Sequence, residues 1–177
     1  MTTVASLPIL IAPDPRLKRP AASVERVDGE IRRLMDNMLA SMYGANGIGL
    51  AAPQVGVLKR VIVVDISVPD APNEPMRLAN PEILWHAGDA VLGEEGCLSL
   101  PDQYADVKRP SRIRLRYLDH ENEIRELEAD GLLAKCIQHE IDHLDGVLFV
   151  DHISSVKRNI ILRKLSKAKK HGAFAAA

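Results

Sequence analysis

Hydrophobic positions along this chain follow a helical period near both ends and an alternating period in the middle. Apolar residues recur every three or four positions after Asp28, which predicts a helix that begins there and ends near Gly44. The same period returns after Asp130 and predicts a second helix that ends near Gly146. A third helical pattern starts near Ser154, with apolar residues on one side and basic residues on the other.

The middle of the chain carries the strand signals. Residues 60–65 form a β-branched run, and in residues 112–117 apolar side chains alternate with three arginines before a polar turn. We interpret the arginines as a solvated face that pairs with glutamates of the return strand at 123–128. The apolar run at 147–150 predicts a small buried strand. Because strands cluster centrally, we predict an α+β fold with antiparallel sheets packed around the second helix, flanked by an N-terminal and a C-terminal helix.

The length of 177 residues predicts a single domain, 1–177, since one core of this size is typical. Residues 1–22 are rich in proline and should be extended, because proline is not tolerated in a helix interior. Residues 154–170 are expected to form a basic C-terminal helix, and residues 171–177 a frayed tail.

Charge and aromatic content exclude several classes of protein. The 23 basic and 24 acidic residues nearly cancel, which argues against a surface devoted to nucleic acid or anionic lipid. Aromatic residues make up only 3%, so base-stacking surfaces are not expected. No stretch approaches the roughly 18 apolar residues of a membrane span. We therefore expect neither a membrane partner nor sequence-specific binding of nucleic acid.

Cysteine usage and the start of the chain indicate a cytoplasmic protein. Two cysteines are too few for a disulfide scaffold in a chain of this length, so a reducing compartment is expected. The apolar run at 7–12 is interrupted by Pro8 and has no basic residue ahead of it. This pattern does not match a signal peptide.

Residues 138–143, Gln-His-Glu-Ile-Asp-His, hold the strongest chemical signal. Two histidines four residues apart share a helix face, with Cα atoms about 6 Å apart along the axis, so His139 and His143 can reach one metal ion. Glu140 borders that face, where a carboxylate can reach a metal-bound water without being a ligand, as a general base must. Two ordinary histidines that happen to have this spacing are the alternative interpretation.

A catalytic metal site of this kind needs a third protein ligand and one open position. No glutamate follows Glu140, and Phe149 stands where a third histidine would extend the motif, so the ligand sets of two groups of zinc proteases are excluded. Cys136 lies on the histidine face but about 10 Å along the axis from His143, which suits a small buried residue in the wall beneath the site. Cys97, in a glycine-containing segment, is the better candidate ligand, and an inert cysteine is the alternative.

Three segments together resemble the signature motifs of peptide deformylases. Residues 47–54 read Gly-Ile-Gly-Leu-Ala-Ala-Pro-Gln, 95–99 read Glu-Gly-Cys-Leu-Ser, and 138–143 complete the set in the family's order and spacing. The likeness extends from the proline-rich start to residues 147–150. It implies a single catalytic domain that removes the N-formyl group from the initiator methionine of a nascent polypeptide and releases formate.

The resemblance implies a role for each matching residue. Glu140 would act as general base and then as general acid. The Gln54 side chain and the Leu98 backbone N–H would donate hydrogen bonds to the developing oxyanion. One divalent metal ion, expected to be iron(II) with zinc, nickel or cobalt as substitutes, would have water or hydroxide as its fourth ligand. The expected protein ligands are Cys97, His139 and His143.

Substrate binding is also implied by the matching segments. A peptide could pair as an added strand with the main chain near Ile48, Gly49 and Gly96, although turn formation alone would explain the glycines. An apolar pocket for the methionine side chain would be lined by Ile48, Leu133 and Cys136. Packing of the core would also explain these three residues.

Two positions depart from the family pattern. Tyr104 stands where some members have an arginine that holds the substrate backbone, and Lys135 stands where the helix often has an apolar residue. Both departures affect the expected peptide preference and leave the metal chemistry unchanged. We also expect Glu95 to pair with Arg109 and brace the cysteine loop.

The C-terminal helix has a strong local charge, with seven basic and no acidic residues after Asp151. A solvated helix face is one interpretation, and electrostatic docking to ribosomal RNA, which the resemblance suggests, is the other. Two rival functions remain open for the whole chain. One is a metallopeptidase, and the other is a noncatalytic metal-binding or ribosome-associated protein.

Overall fold

The computed structural model describes residues 3–174. Within them the chain forms three α-helices and seven β-strands, with short turns of 3-10 helix between some of them. The strands are β1 (Gly49–Ala51), β2 (Val61–Val64), β3 (Met76–His86), β4 (Ala90–Cys97), β5 (Leu100–Pro110), β6 (Arg112–Leu118) and β7 (Ile124–Asp130). The helices are α1 (Gly29–Gly44), α2 (Gly131–Leu144) and α3 (Ser155–Lys170).

The strands form two antiparallel sheets. The larger sheet has five strands in the order β1-β2-β3-β6-β7, and β4 and β5 form the smaller one. Helix α2 contacts strands of both sheets. The predicted α+β fold, with antiparallel sheets around a central helix, is confirmed. None of the helices in residues 3–174 combines the length and the apolar character that crossing a bilayer requires.

Helix α1 begins and ends where the sequence predicts. The Asp28 carboxylate accepts a hydrogen bond from the Ile31 N–H at 2.9 Å, which caps the first turn. The helix buries one face, including Met35, Met38 and Met42, against β1 and β2. Amphipathic packing of this kind contributes more to the stability of a helix than its intrinsic propensity does.

Helix α2 is buried on most sides, and nine of its 14 residues are buried. It ends at a left-handed glycine, Gly146, with φ of 73°. The Gly146 N–H donates to the His143 carbonyl, and the Val147 N–H donates to the Asp142 carbonyl. A Cβ atom on Gly146 would lie 2.5 Å from the Lys18 carbonyl oxygen, so both the backbone angle and the close contact require glycine here. This end of the helix confirms the prediction.

The arginine-rich strand pairs with the glutamate-rich strand as predicted. Arg114 lies opposite Glu128, and Arg116 lies opposite Glu126, in the antiparallel register of β6 and β7. These side chains are exposed. Arg116 also pairs with Glu82 of β3 at 3.0 Å. Ion pairs on such a surface contribute little to stability, so we assign this face no further role.

The predicted strand at 147–150 is wrong. A turn of 3-10 helix spans Phe149–His152, because the Asp151 N–H donates to the Leu148 carbonyl while the Asp151 carboxylate accepts from the Leu148 N–H. Consecutive apolar side chains from this turn enter the core beside Ile161 and Leu165 of α3. A run of apolar residues without alternation does not distinguish such a turn from a buried strand.

The proline-rich N-terminal segment runs along the surface of the domain and is largely extended, with one 3-10 turn at Pro15–Lys18. Its backbone is bonded to two distant segments, since Leu10 N–H donates to the Gln54 carbonyl and Ala12 N–H donates to the Ser99 carbonyl. At the other end of the chain, residues 171–174 continue from α3 as a hydrogen-bonded turn. Residues 175–177 of the expected tail lie outside the described residues.

Candidate active site

The three motif segments meet at one open cleft of about 460 Å³. One wall is the glycine-rich loop that leads into β1, the second is the end of β4, and the third is α2. The smaller sheet and the helix thus approach each other at the free edge of the larger sheet. The residues that line the cleft include Ile48, Gly49, Gln54, Gly96, Cys97, Leu98, Cys136, His139 and Glu140.

Cys97, His139 and His143 present one sulfur and two imidazole nitrogens, and these three ligand atoms lie within 4.8 Å of one another. The histidines lie one helical turn apart on α2, with ring centroids 5.1 Å apart. Cys97 comes from the end of β4, where the register with β5 shifts between Gly96 and Cys97. Its sulfur lies 3.3 Å from His143 Nε2.

This donor set fits a single divalent metal ion. Thiolate and imidazole are ligands of zinc and other borderline transition metals, and three ligands leave a position open. Two further atoms nearby, Glu140 Oε2 and His143 Nδ1, are buried without a hydrogen-bond partner among residues 3–174. Burial and the charge of His139 lower the pKa of His143, which favours the neutral imidazole that binds metals.

Glu95 fixes the orientation of the His139 ring through a hydrogen bond to Nδ1. Its Oε1 accepts from His139 Nδ1 at 3.0 Å, and its two oxygens accept from Arg109 at 2.6 and 2.9 Å. Burial works against this carboxylate, but the hydrogen bonds from His139 and Arg109 prevail and lower its pKa to about 2. With Nδ1 engaged, His139 Nε2 is the nitrogen left for a metal. The expected Glu95–Arg109 pair is confirmed and is buried.

The environment of Glu140 shifts its pKa in the direction opposite to that of Glu95. Burial raises its pKa to about 7, although the neighbouring cations His139 and Arg109 act in the other direction. Its Oε1 lies where a Cβ atom on Gly49 would come within 2.7 Å. Only glycine therefore allows β1 to approach this carboxylate so closely. A carboxyl group that titrates near neutrality can both accept and return a proton.

Gln54 is fixed by its neighbours and faces the sulfur of Cys97. It lies on a buried 3-10 turn, Ala52–Val55, and its Oε1 accepts from the Ala51 N–H at 2.9 Å. Its Nε2 lies 3.0 Å from Ser99 Oγ and 3.6 Å from Cys97 Sγ. The amide orientation is thereby defined, with the N–H groups toward the cleft. Sequence reasoning did not identify Ser99, whose position two residues after the candidate ligand was the available signal.

The structure brings most of the sequence-predicted substrate residues to this cleft, with one exception. Ile48, Gly49, Gly96 and Cys136 line it, whereas Leu133 packs against the core between α2 and the larger sheet. Leu132, half exposed, lines the cleft instead. The helix period contained this signal, because Leu132 lies seven residues before His139, on the same face. Tyr104 and Lys135 also line the cleft.

An α+β fold that places one thiol, one imidazole and a buried carboxylate in an open cleft, with the buried imidazole of His143 directly behind them, defines the class of metal-dependent hydrolases. Comparison with known families narrows this class. The sequence pattern of the family described as polypeptide deformylase matches residues 6–159. The chain belongs to the polypeptide deformylase family and is an enzyme of that type.

Individual relatives agree with this assignment. A peptide deformylase from Alkalilimnicola ehrlichii is 56% identical over 169 residues, which cover 96% of this chain and 94% of that protein. The crystal structure of peptide deformylase from Ehrlichia chaffeensis superposes with a TM-score of 0.90 at 37% identity, over 96% of this chain and 100% of that one. A Met-Ala-Ser bound class I type b enzyme from Acinetobacter baumannii superposes with a TM-score of 0.79 at 40% identity, over 85% and 100%.

Proposed function

We propose that this chain removes the N-formyl group from the N-terminal formylmethionine of newly synthesised polypeptides and releases formate. The observation that carries the proposal is the position of Glu140, a buried carboxyl group with a pKa of about 7 beside the Cys97, His139 and His143 donor set. A site that serves only to hold a metal has no use for such a group. This argues against the noncatalytic alternative.

Cys97, His139 and His143 would hold one divalent ion, for which iron(II) is our first choice and zinc, nickel and cobalt are substitutes. When bound, the ion supplies Lewis acidity, which makes water a nucleophile near neutral pH. Glu95 would keep His139 in the orientation and tautomer that ligation requires. The choice of iron over zinc rests on the family and not on the donor set, since both ions accept these ligands.

Glu140 would carry the proton through the reaction. It takes the proton of the attacking water and delivers it to the amine nitrogen as the bond between the formyl carbon and that nitrogen breaks. The products are formate and a free N-terminus, so atoms and charge balance. The formyl oxygen gains negative charge during the attack, and the Gln54 Nε2 and the Leu98 N–H would donate hydrogen bonds to it.

The cleft walls would orient the peptide. Gly49 belongs to β1, an edge strand, and Gly96 belongs to β4, so an extended peptide between them has backbone partners on both sides. Ile48, Leu132 and Cys136 offer an apolar surface for the methionine side chain. The similar Acinetobacter baumannii structure with bound Met-Ala-Ser supports a peptide with N-terminal methionine as the ligand.

The proposal is tested by formate release from formyl-Met-Ala-Ser under reducing, anaerobic conditions. We expect turnover by the metal-loaded chain and loss of about a hundredfold or more in kcat for Glu140→Gln, because this variant cannot transfer the proton. Acetyl-Met-Ala-Ser is the matched control substrate. Metal-loaded protein that releases no formate would refute the proposal, and cleavage of internal peptide bonds would favour the metallopeptidase.

We further propose that the enzyme works in the cytoplasm and docks on the ribosome through α3. Its free cysteines and its substrate are consistent with that compartment. Truncation is a poor test, since Ile161 and Leu165 of α3 belong to the core. Replacing the exposed Lys164 and Lys167 by glutamine leaves that packing intact. Ribosome pelleting at low salt should then retain less of this variant than of the parent chain, and an equal bound fraction would contradict docking.

A further inference from the structure

A continuous chain of hydrogen bonds runs from the protein surface to the ring of His139. His152 Nε2 lies 2.8 Å from Asp142 Oδ2, and the same oxygen lies 2.9 Å from Arg109 Nη1. Arg109 in turn donates to Glu95 at 2.6 and 2.9 Å, and Glu95 accepts from His139 at 3.0 Å. Exposure falls along the chain, from 35% for the His152 side chain through 23% for Asp142 and 8% for Arg109 to 2% for Glu95.

The direction of each hydrogen bond follows from the chemistry of the groups. A guanidinium can only donate, and a carboxylate can only accept. His152 Nε2 must therefore carry the hydrogen that it shares with Asp142, and His139 Nδ1 must carry the one that it shares with Glu95. Every donor and acceptor in this series of hydrogen bonds is thereby defined, so the five side chains have one mutual arrangement.

Arg109 transmits the arrangement because its donors form a rigid fork. Two edges of one planar group contact two carboxylates, Glu95 on one side and Asp142 on the other. If Asp142 moves, the plane of the guanidinium turns, and the two bonds to Glu95 change with it. Within residues 3–174, the side chains that hydrogen-bond to the Asp142 carboxylate are those of Arg109 and His152 alone.

We propose that His152 and Asp142 are positioning residues for the metal centre, which act on the ligand His139 through Arg109 and Glu95. His152 holds the Asp142 carboxylate from the last residue of the 3-10 turn before α3. The inference rests on the proposed metal site. It adds that the surface residue His152 controls how firmly the ion is held.

The test is the rate at which the cobalt-loaded protein loses its metal to a chelator, together with its visible absorption. Removing the partners of a metal ligand typically lowers metal affinity about tenfold to a hundredfold. We expect about tenfold faster loss for Asp142→Asn and about threefold faster loss for His152→Phe, since His152 is one bond further away. The absorption bands should shift in both variants, because the ligand field of His139 changes.

Two further variants separate this role from a merely structural one. His152→Gln places an amide N–H near the position of Nε2 and should restore the parent rate and spectrum. Arg60→Gln breaks the 2.9 Å ion pair with Asp145 at the end of α2. This ion pair lies outside the hydrogen-bond chain from His152 to His139, so the variant should leave the rate of metal loss and the spectrum unchanged.

The outcomes are distinguishable from failure of the proposed function. Parent protein that binds no cobalt would refute the metal site itself. Parent protein that binds cobalt, with parent-like metal loss and spectrum in His152→Phe and Asp142→Asn, would refute the positioning role alone. A lower melting temperature of the metal-free variants, without any change in metal loss or spectrum, would also refute the positioning role, because it would show that the two residues only stabilise the fold.

Discussion

Gly49 determines how close the backbone of β1 comes to the proposed general base. An added Cβ would lie 2.7 Å from Glu140 Oε1 and 2.8 Å from Cys136 Sγ, and both side chains are held in a buried wall. Neither has the freedom to withdraw that an exposed side chain has. The space at this position is therefore part of the geometry of the reaction.

We expect Gly49→Ala to lower kcat by about tenfold to a hundredfold, because displacing a reacting group by a fraction of an ångström to 1 Å has this cost. Formate release at matched metal content is the measurement. Gly44→Ala is the matched control, since a Cβ there meets no atom within 4 Å. Equal kcat in the Gly49 variant and the parent would show that Glu140 adjusts freely.

Single elements of the fold depend on a few polar contacts at their ends. The cap of α1 is the Asp28 carboxylate, which satisfies a backbone N–H that the first turn leaves without a partner. The helix itself packs against β1 and β2 and contributes no residue to the donor set. Loss of the α1 cap should therefore lower the stability of the fold without changing the chemistry of the site.

We expect Asp28→Ala to lower the free energy of unfolding by about 1 kcal/mol, the usual cost of losing an N-cap. Urea unfolding followed by circular dichroism measures this, with the exposed Glu25→Ala as control. The kcat for formate release should be unchanged. An equal unfolding midpoint for Asp28→Ala and the parent would contradict the capping role.

The Asp65 carboxylate stabilises the loop after β2 through its hydrogen bonds. Its carboxylate accepts from the Tyr43 hydroxyl at 2.5 Å, from the Ser67 N–H at 2.9 Å and from the Glu74 N–H at 3.1 Å. Burial would raise the pKa of this carboxyl group, yet the hydrogen bonds from Ser67 and Tyr43 outweigh it and the pKa is lowered. Burial also raises the pKa of Tyr43, to about 12, so the hydroxyl keeps its proton.

A folded-state pKa below the unfolded value stabilises the fold above about pH 4, and this contribution is lost as the pH falls through the folded pKa. We therefore expect Asp65→Asn to be less stable than the parent by about 1–3 kcal/mol at pH 7, with a smaller difference at pH 3. Urea unfolding at the two pH values tests this, and Asp70→Asn, an exposed change, is the control. A difference that does not depend on pH would exclude the carboxylate charge as its cause.

The elements were predictable from sequence where the signal is local. The helix of His139 and His143 has its period, its cap position and its stop within 17 residues, from Asp130 to Gly146, so the metal-binding face could be predicted. The approach of Cys97 to the histidines could not be predicted, because it depends on how β4 ends against α2. Elimination made Cys97 the better candidate ligand, and the resemblance argued against an inert cysteine. The 3-10 turn at Phe149–His152 also depends on tertiary packing. Leu132 was predictable, because the period of α2 places it on the same face as His139.

At the scale of the whole molecule, the donor set joins the two sheets. Cys97 ends β4 of the smaller sheet, while His139 and His143 come from the helix that contacts both sheets. An ion bound by all three groups cross-links parts of the fold that are distant in sequence. Ligands that bind only the folded state stabilise it by mass action.

We expect chelation to lower the melting temperature by about 5–10 °C when the metal is initially present at about a hundred times its dissociation constant. Anaerobic thermal scans before and after chelator measure the change, and added metal should reverse it. Cys136→Ser should keep this response, since its thiol is outside the donor set, whereas Cys97→Ala should lose it. A chelator response in Cys97→Ala equal to that of the parent would contradict ligation by this cysteine.

The position of β1 at the end of the larger sheet has a consequence for self-association. A sheet edge with free backbone groups can accept a strand from a second copy of the same protein, and such pairing leads to aggregation. The edge here is only three residues long, and its first residue, Gly49, lines the cleft. So few ladder bonds cannot hold a neighbouring molecule by themselves, whereas a small ligand anchored chemically at one end needs no more. The brevity of β1 thus limits pairing with a second copy of the protein through this edge, while the proposed peptide substrate can still pair there.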